Sequence, residues 1–381
     1  MNNIILLGIV SFFTDISSEM ITPILPMFIT ALGGAGLIVG LIGGLGDSIS
    51  SMLNVFSGYW SDKFGKKKQL VFAGYGVSAI AKLLFPFALI WQHILALRVF
   101  ERFGKGIRTA PRDVILAVST EKGRRGRGFG IHRAMDSAGA VIGSALAFIL
   151  IWNFGLDFRT IFLAAAIIAF LALAPIIPVK EKVVKRKKIA LKIDLKKLSK
   201  PLKIFILIAT IFSLGNFSYM FFILRSQEFF AKDLSIVMPI LLYIIYNIVY
   251  TMFSIPAGIL SDKIGRRKVL LAGYFLFGLT CLGFAFLHSL TYFIMLFILY
   301  GLVYALTDGT ARALVSDISK EEIRGTALGT FHTSISLSTL PASLIAGALW
   351  QFVSFELTFI YGAFMASLAV FLLLVSQKLF R

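Results

Sequence analysis

The sequence predicts an all-α membrane protein of twelve transmembrane helices, built as two pseudo-symmetric six-helix bundles. Three observations predict this class: the composition, twelve long apolar segments, and an internal repeat spaced by 200 residues. Of the 381 residues, 58% are apolar and 15% are charged, whereas soluble proteins average about 45–50% and about 25%. Lipid, rather than water, can solvate so much apolar surface.

The twelve apolar segments are each long enough to cross a bilayer, which requires about 20 largely apolar residues. Several exceed that length, which indicates tilting. The predicted spans are 4–30, 37–61, 69–91, 94–118, 127–153, 158–178, 203–231, 235–261, 269–288, 290–316, 325–352 and 356–377.

Basic residues are distributed unevenly between the loops. Most lysines and arginines outside the spans follow the even-numbered spans, whereas Arg159 and Lys232 lie near the ends of odd-numbered ones. Because cytoplasmic loops carry the excess of Lys and Arg, we predict a multi-pass protein of the plasma (inner) membrane with both termini in the cytoplasm. The net charge of +19 is explained in this way, and no nucleic-acid partner is expected.

One long polar segment divides the chain. Residues 180–203 contain eleven Lys or Arg against Glu181 and Asp194. We predict an N-terminal bundle over 1–179, a basic cytoplasmic linker over 180–202 and a C-terminal bundle over 203–381. The linker either satisfies the positive-inside rule alone or also binds anionic lipids through a short amphipathic helix.

The internal repeat is the most specific signal in the sequence. Gly58, Ser61, Asp62, Lys63 and Gly65 recur 200 residues later as Gly258, Ser261, Asp262, Lys263 and Gly265, and three basic residues follow each copy. At an offset of 199, Gly74-Tyr75 matches Gly273-Tyr274, and Arg125-Gly126 matches Arg324-Gly325. Parallel repeats of six helices indicate a pseudo-twofold axis along the membrane normal.

With this doubled loop motif, the chain resembles the major facilitator superfamily (MFS) over its whole length. The run from Glu101 to Asp113 is similar to one prokaryotic branch of efflux and permease proteins. The resemblance implies secondary active transport by alternating access, with the first and fourth helices of each half lining a central cavity. It also implies a contact between the halves at the loop motifs, which gives the expected gating residues: Gly58, Asp62, Gly65, Gly258, Asp262, Gly265, Arg125 and Arg324.

Acidic residues inside the spans are the candidates for proton coupling, because ionisable groups at membrane depth are costly and usually functional. Asp15 and Glu19 lie four residues apart, and so on one face of the first helix. Asp47 and Asp136 complete this set. Alternatively, these carboxylates form permanent ion pairs that only stabilise the N-terminal half.

A basic stripe follows the fourth span, in which Arg98, Arg102, Lys105, Arg108 and Arg112 recur at helical spacing. Helix rise alone suggests that Glu19 meets Arg102, Asp15 meets Lys105 and Asp136 meets Arg108. The predicted substrate-binding residues are Arg102, Lys105, Arg108, Arg133, Arg225, Asp308, Arg312 and His332.

Aromatic residues are frequent on the seventh and eighth spans, among them Phe217, Tyr219 and Tyr243. Most of these rings are expected to pack the core, and a binding wall is the alternative. The fifth span contains Gly139 and Gly143, where exporters of the superfamily often have a Gly-Pro…Gly-Gly pattern. The proline is missing here, and Ser144 replaces the last glycine.

Three classes of function were compared. The favoured one is a proton-coupled antiporter that exports a lipophilic or amphipathic compound, and the alternative is a transporter of an organic anion bound by the basic stripe. A non-transporting membrane receptor is the remote alternative.

We expect no enzyme, because no catalytic or metal-binding constellation is present, and no cofactor, because no Walker-type phosphate loop occurs. Sodium coupling stays open. The expected partners are the small-molecule substrate, protons and lipid, and the expected state is a monomer.

The orientation can be tested with single cysteines on a Cys281→Ser background. Cysteines at positions 34, 92 and 289 should react with an impermeant thiol reagent from outside intact cells. A cysteine at position 190, in the basic linker, serves as the control and should react only after the membrane is opened. Labelling of the first three positions from the cytoplasmic side alone would contradict the predicted topology.

Overall fold

A computed structural model describes residues 2–64, 66–120, 125–181, 198–231, 234–319 and 324–376. Apolar runs of helical length dominate the sequence, and the described chain is accordingly helical. Its α-helices are α1 (Asn2–Ile21), α2 (Leu25–Ala31), α3 (Gly36–Phe64), α4 (Lys67–Leu84), α5 (Trp91–Ser119), α6 (Arg125–Trp152), α7 (Phe158–Leu171), α8 (Lys200–Gly215), α9 (Met220–Phe229), α10 (Leu234–Ile264), α11 (Arg266–Phe286), α12 (Leu290–Asp317), α13 (Arg324–Phe352) and α14 (Phe355–Val375).

The twelve predicted spans are present, and two of them consist of two helices. The first comprises α1 and α2, and the seventh comprises α8 and α9. Among the described residues, eleven segments are long and apolar enough to cross a membrane. The twelfth span is α5, whose many charges distinguish it from the others.

The two interrupted spans occupy corresponding positions in the repeat. Between α1 and α2 the chain turns at Thr22–Ile24, where Pro23 cannot donate a helical hydrogen bond. Between α8 and α9 the helix stops at Asn216, which has φ −88° and ψ 68°. No proline marks this second break, and the sequence did not predict it. Both breaks free backbone groups at membrane depth, which is typical of sites that line a cavity.

Side-chain caps fix several helix starts. Asp157 accepts hydrogen bonds from the hydroxyl and the backbone N–H of Thr160 at the start of α7. The bond from the hydroxyl, above all, holds the pKa of Asp157 below its usual value. Ser199, Ser289 and Ser354 cap α8, α12 and α14 in the same way. Each cap satisfies an N–H group that the helix itself leaves without a partner.

The described residues fall into two compact units. The first is drawn from Met1–Gly33 and Ile49–Leu191, and the second from Gly34–Ser48 and Lys192–Arg381. The N-terminal part of α3 therefore packs with the second unit, on α13. There an added Cβ at Gly40 would overlap the Ser343 carbonyl, and one at Gly347 would meet the Gly36 carbonyl. The predicted boundaries at 179 and 203 stay a prediction.

The cores of both units are apolar, and large apolar side chains also cover the outside of their helices. In the second unit, Phe217, Phe221 and Phe222 are at most 1% exposed, so the expectation that these rings pack the core is confirmed. Ile255 is 74% exposed on α10, and Phe364 is 65% exposed on α14. Such residues on long apolar helices suit a lipid environment.

Helices α1 and α6 make the closest helix contact in the first unit. An added Cβ at Gly139 would overlap the carbonyl oxygen of Phe12, and one at Gly143 would overlap that of Ile16. The two backbones therefore touch along a full turn, as small residues allow in membrane helices. Gly139 and Gly143 thus have a packing role that the sequence alone did not assign.

Alanine at Gly139 should destabilise the protein. The new methyl group meets backbone rather than a flexible side chain, so the helices must separate, at a cost of about 1–3 kcal/mol of unfolding free energy. Gly130→Ala on the same helix is the matched control, because nothing lies within 4 Å of its added Cβ. Thermal unfolding in detergent measures the difference. Equal unfolding temperatures for the two variants would show that the α1–α6 contact is not tight.

Candidate functional site

The contact between α1 and α6 brings two carboxyl groups together. Asp15 lies on α1 between Phe12 and Ile16, and Asp136 lies on α6 one turn before Gly139. Their carboxyl groups are close enough to act on each other electrostatically. Two neighbouring negative charges repel, which disfavours ionisation of both acids at once.

Two further groups hold Asp136. Ser11 donates its hydroxyl hydrogen to Asp136 Oδ1 at 2.6 Å, and Arg133 Nη1 lies 2.9 Å from Asp136 Oδ2. The Arg133 side chain is 62% exposed, whereas that of Asp136 is 21% exposed. Asp136 is thus the better stabilised of the two as an anion.

This arrangement corrects one of the predicted ion pairs. Asp136 pairs with Arg133 on its own helix, not with Arg108 on α5. Helix rise gave a similar depth for Asp136 and Arg108 but not the direction in which each side chain points. The predicted proximity of Asp15 and Lys105 agrees with the structure, because Lys105 lies near enough to Asp15 to act on it electrostatically. Glu19 acts on Asp15 as well.

Most cations of the predicted α5 stripe bind other groups of the first unit. Arg98 forms a buried pair with Glu101 at 2.6 Å. Arg108 donates to Ser78 Oγ at 2.6 Å and lies 4.2 Å from the centre of the Tyr75 ring. Arg112 pairs with Asp113 at 2.9 Å. Within the stripe, Lys105 is exposed and Arg102 is half-buried.

Lys82 is a buried cation to which the sequence assigned no role. Its side chain is 1% exposed, and Nζ lies 3.0 Å from Ser17 Oγ and 2.8 Å from Ser18 Oγ. Because both hydroxyls belong to α1, Lys82 links α4 to the helix that carries Asp15. A single lysine in an apolar run does not indicate which residues its side chain will contact.

The second unit contains a cavity of about 190 Å³. It is lined by residues of α8, α11, α12 and α13, including Asp308, Arg312 and His332 from the predicted substrate-binding set. Tyr250 donates to Asp308 Oδ2 at 2.9 Å, and Arg312 pairs with the same oxygen. Arg312 Nε also donates to the backbone carbonyl of Asp308 at 3.1 Å.

Aromatic rings form much of the cavity surroundings. Phe212 and Tyr274 are stacked with centroids 3.9 Å apart, and both line the cavity. Tyr304 donates to Asn216 Oδ1 at 3.2 Å, so the helix break at Asn216 supplies a polar group to this site. Neither Asn216 nor Tyr304 was predicted, because each role depends on a break or a pairing that spacing does not reveal.

A row of tyrosines continues from the cavity along α10. Tyr243, Tyr246 and Tyr250 pack in sequence, with neighbouring centroids 5.5 and 6.3 Å apart. Tyr246 also packs on Tyr300, and Tyr250 packs on Tyr304, both from α12. These rings therefore form one aromatic wall next to Asp308.

Arg225 lies outside this cavity, although it belongs to the predicted set. It is 4% exposed, donates to the carbonyl of Phe284 at 3.1 Å and stacks on Phe355 at 3.9 Å. Glu228 lies 3.9 Å from it. These contacts give Arg225 a packing role.

The predicted gating residues are described only in part. Gly65 lies outside the described residues. The structure also leaves undescribed the surroundings of Gly58 and the side chains of Asp62, Arg125, Arg324 and the proton-coupling candidate Asp47.

In the C-terminal copy of the loop motif, Asp262 pairs with Arg266, which also contacts Asp317 at 3.2 Å. Gly265 has a φ of +99°, which side chains disfavour, and this explains the glycine at that position. No Cβ clash is found at Gly258.

Comparison with known proteins agrees with this architecture. The profile of the Major Facilitator Superfamily matches residues 7–240 and 206–379. An uncharacterised MFS-type transporter of Methanocaldococcus jannaschii is 52% identical over 376 residues, which cover 98% of this chain and 94% of that protein. The multidrug resistance protein MdtH of Klebsiella pneumoniae is 33% identical over 144 residues, or 36% of this chain and 34% of MdtH.

Solved structures share the fold at low sequence identity. The nucleoside transporter NupG superposes with a TM-score of 0.82 over 99% of this chain and 100% of its own, at 14% identity. A mutant of the peptide transporter POT superposes with a TM-score of 0.80 over 99% of this chain and 94% of its own, at 11% identity. The twelve spans, the profile match and the full-length relative together show that the chain is a multi-pass membrane transporter of the major facilitator superfamily.

Proposed function

We propose that this protein is a proton-coupled secondary transporter in which the Asp15–Asp136 pair carries the coupling proton. The proximity of the two carboxyl groups at the close contact of α1 with α6 is the observation that supports this most directly. Because neighbouring carboxylates repel, the pair would hold one proton that it can lose. The loop charges favour cytoplasmic termini. In the proposed mechanism, protons move down their gradient through this pair.

Loss of the shared proton would act directly on helix packing. Two adjacent carboxylates repel strongly where water is scarce, and here they lie at the contact of α1 with α6. Arg133, paired with Asp136, offsets part of this repulsion. Deprotonation therefore favours separation of α1 from α6, and protonation favours the close packing around Gly139. This is a two-state element that a proton gradient can bias.

Export of a lipophilic or amphipathic compound is the direction and substrate class that we propose. The similarity to MdtH over 144 residues supports it, as does the aromatic wall of the second unit. The alternative, an organic anion bound by the basic stripe, is less well supported. Arg98, Arg108 and Arg112 of that stripe are engaged by Glu101, Ser78 and Asp113.

The coupling proposal is tested by flux in proteoliposomes. With the one-ring cation benzyltrimethylammonium and the one-ring anion benzenesulfonate as probes, neither of which changes its charge with pH, a pH gradient should drive accumulation of a probe by the wild type but not by protein-free liposomes. Asp15→Asn and Asp136→Asn should abolish the response to the gradient but keep exchange at equal pH, because the variants lose only the titrating proton. Glu19→Gln, alone and combined with Asp15→Asn, tests the remaining acid on the same face.

Asp113→Asn is the matched control, since Asp113 is 43% exposed and pairs within α5. It should retain the full response to the gradient. If both Asp15→Asn and Asp136→Asn fold and still respond fully, proton coupling at this pair is refuted. A response to a sodium gradient alone would replace the proton with sodium as the coupling ion.

A further inference from the structure

We propose that the cavity of the second unit binds an organic cation bearing one aromatic ring, and that the cation takes the place of the Arg312 guanidinium at Asp308. This inference rests on the proposed transport function and names a substrate class for it. The carboxylate of Asp308, the aromatic wall and the exposure of Arg312 together support it.

The size of the cavity limits the size of the ligand. Its volume is about 190 Å³, and a protein cavity of about 150 Å³ accommodates benzene. One ring with a short substituent therefore fits, whereas a large multi-ring compound does not fit within this cavity alone.

The side chains that line the cavity determine which charge the ligand should carry. Asp308 is the acidic residue among the lining residues, and the rings of Phe212, Tyr274, Tyr304 and Phe331 are close by. The faces of aromatic rings attract cations. A carboxylate next to several such faces is a suitable environment for an ammonium group.

Asp308 is held in place independently of Arg312. The hydroxyl of Tyr250, from α10, donates to Asp308 Oδ2 at 2.9 Å, so the carboxylate stays fixed if the guanidinium leaves. Arg312 approaches from the same helix, four residues on. Exposed pairs at this spacing contribute little to stability, so the guanidinium can be displaced.

Asp308 and Arg312 differ in their freedom to move once the pair separates. The Arg312 side chain is long and 46% exposed, and on release it can turn toward water. Asp308 is short and is fixed by Tyr250, so it would remain in the cavity. An anionic ligand would therefore face the carboxylate, while a cationic ligand would restore the charge balance that Arg312 leaves.

His332 does not change this conclusion. It lies on α13 with its ring 5.4 Å from that of Phe331 and is exposed. As a neutral imidazole it adds a hydrogen-bonding group to the cavity without a charge. The sign of the preferred ligand therefore depends on Asp308 and Arg312.

Binding of three small probes to the purified full-length protein tests the proposal. The probes are benzyltrimethylammonium, benzoate and benzyl alcohol, which share one ring and differ in charge. Titration calorimetry without a pH gradient should show binding of the cation by the wild type. Arg312→Gln should bind it roughly two- to tenfold more tightly, because the competing cation is gone, and Asp308→Asn should bind it at least about tenfold more weakly.

Opposite behaviour of the variants would overturn the proposal. If benzoate binds and Asp308→Asn strengthens its binding, the cavity is an anion site. If benzyl alcohol binds as well as the cation, charge is not recognised. If Arg312→Gln weakens cation binding, the exchange with Asp308 is wrong.

Two controls make these results decisive. Thermal unfolding shows whether each variant is folded, and Tyr250→Phe should weaken cation binding less than Asp308→Asn while leaving the unfolding temperature close to that of the wild type. Because no proton gradient is used, loss of cation binding would refute the substrate class alone. Loss of the pH response in the flux experiment would instead refute proton coupling.

Discussion

The contact between the backbones of α1 and α6 is the constraint on which the first unit depends. Gly139 and Gly143 have no Cβ atoms to hold the helices apart, and the carbonyls of Phe12 and Ile16 fill that space. Only at such a separation can the short side chains of Asp15 and Asp136 come near each other. In the proposed mechanism, the glycines thereby turn two acidic residues, each costly alone at membrane depth, into a pair that shares a proton.

Two ion pairs, one in each unit, differ in their exposure. In the first unit, pairs such as Arg98–Glu101 satisfy ions inside a bundle, and the role of such pairs is structural. Removing one partner of a buried pair typically costs about 3–5 kcal/mol. In the second unit, the Asp308–Arg312 pair is 39% and 46% exposed at a cavity, where a ligand can compete for it. The exposure of an ion pair, rather than the presence of charge alone, therefore distinguishes a structural pair from a candidate binding pair.

Hydropathy and the internal repeat were sufficient to predict the twelve spans and the family. The charged α5 was also among the predicted spans, although it is not one of the eleven segments in the described chain that are apolar enough to cross a membrane. The break at Asn216 was not predicted, because Gly215-Asn216 is only a weak helix-stop signal inside a long apolar run. A tertiary contact with Tyr304 accompanies the break. Helix rise fixes depth but not the rotation of α6, which is why it wrongly matched Asp136 with Arg108. The observed partner, Arg133, lies three residues away on the same helix, a spacing that favours pairing.

The central claim is that the Asp15–Asp136 pair holds a proton at neutral pH. Infrared spectroscopy of the purified protein tests this most directly, because a protonated carboxyl group has a carbonyl stretch that is separate from the carboxylate bands and shifts in D₂O. We predict that the wild type shows this band at neutral pH and that Asp15→Asn lacks it, while Asp113→Asn retains it. A wild-type spectrum without the band, or an unchanged band in Asp15→Asn, would contradict the account.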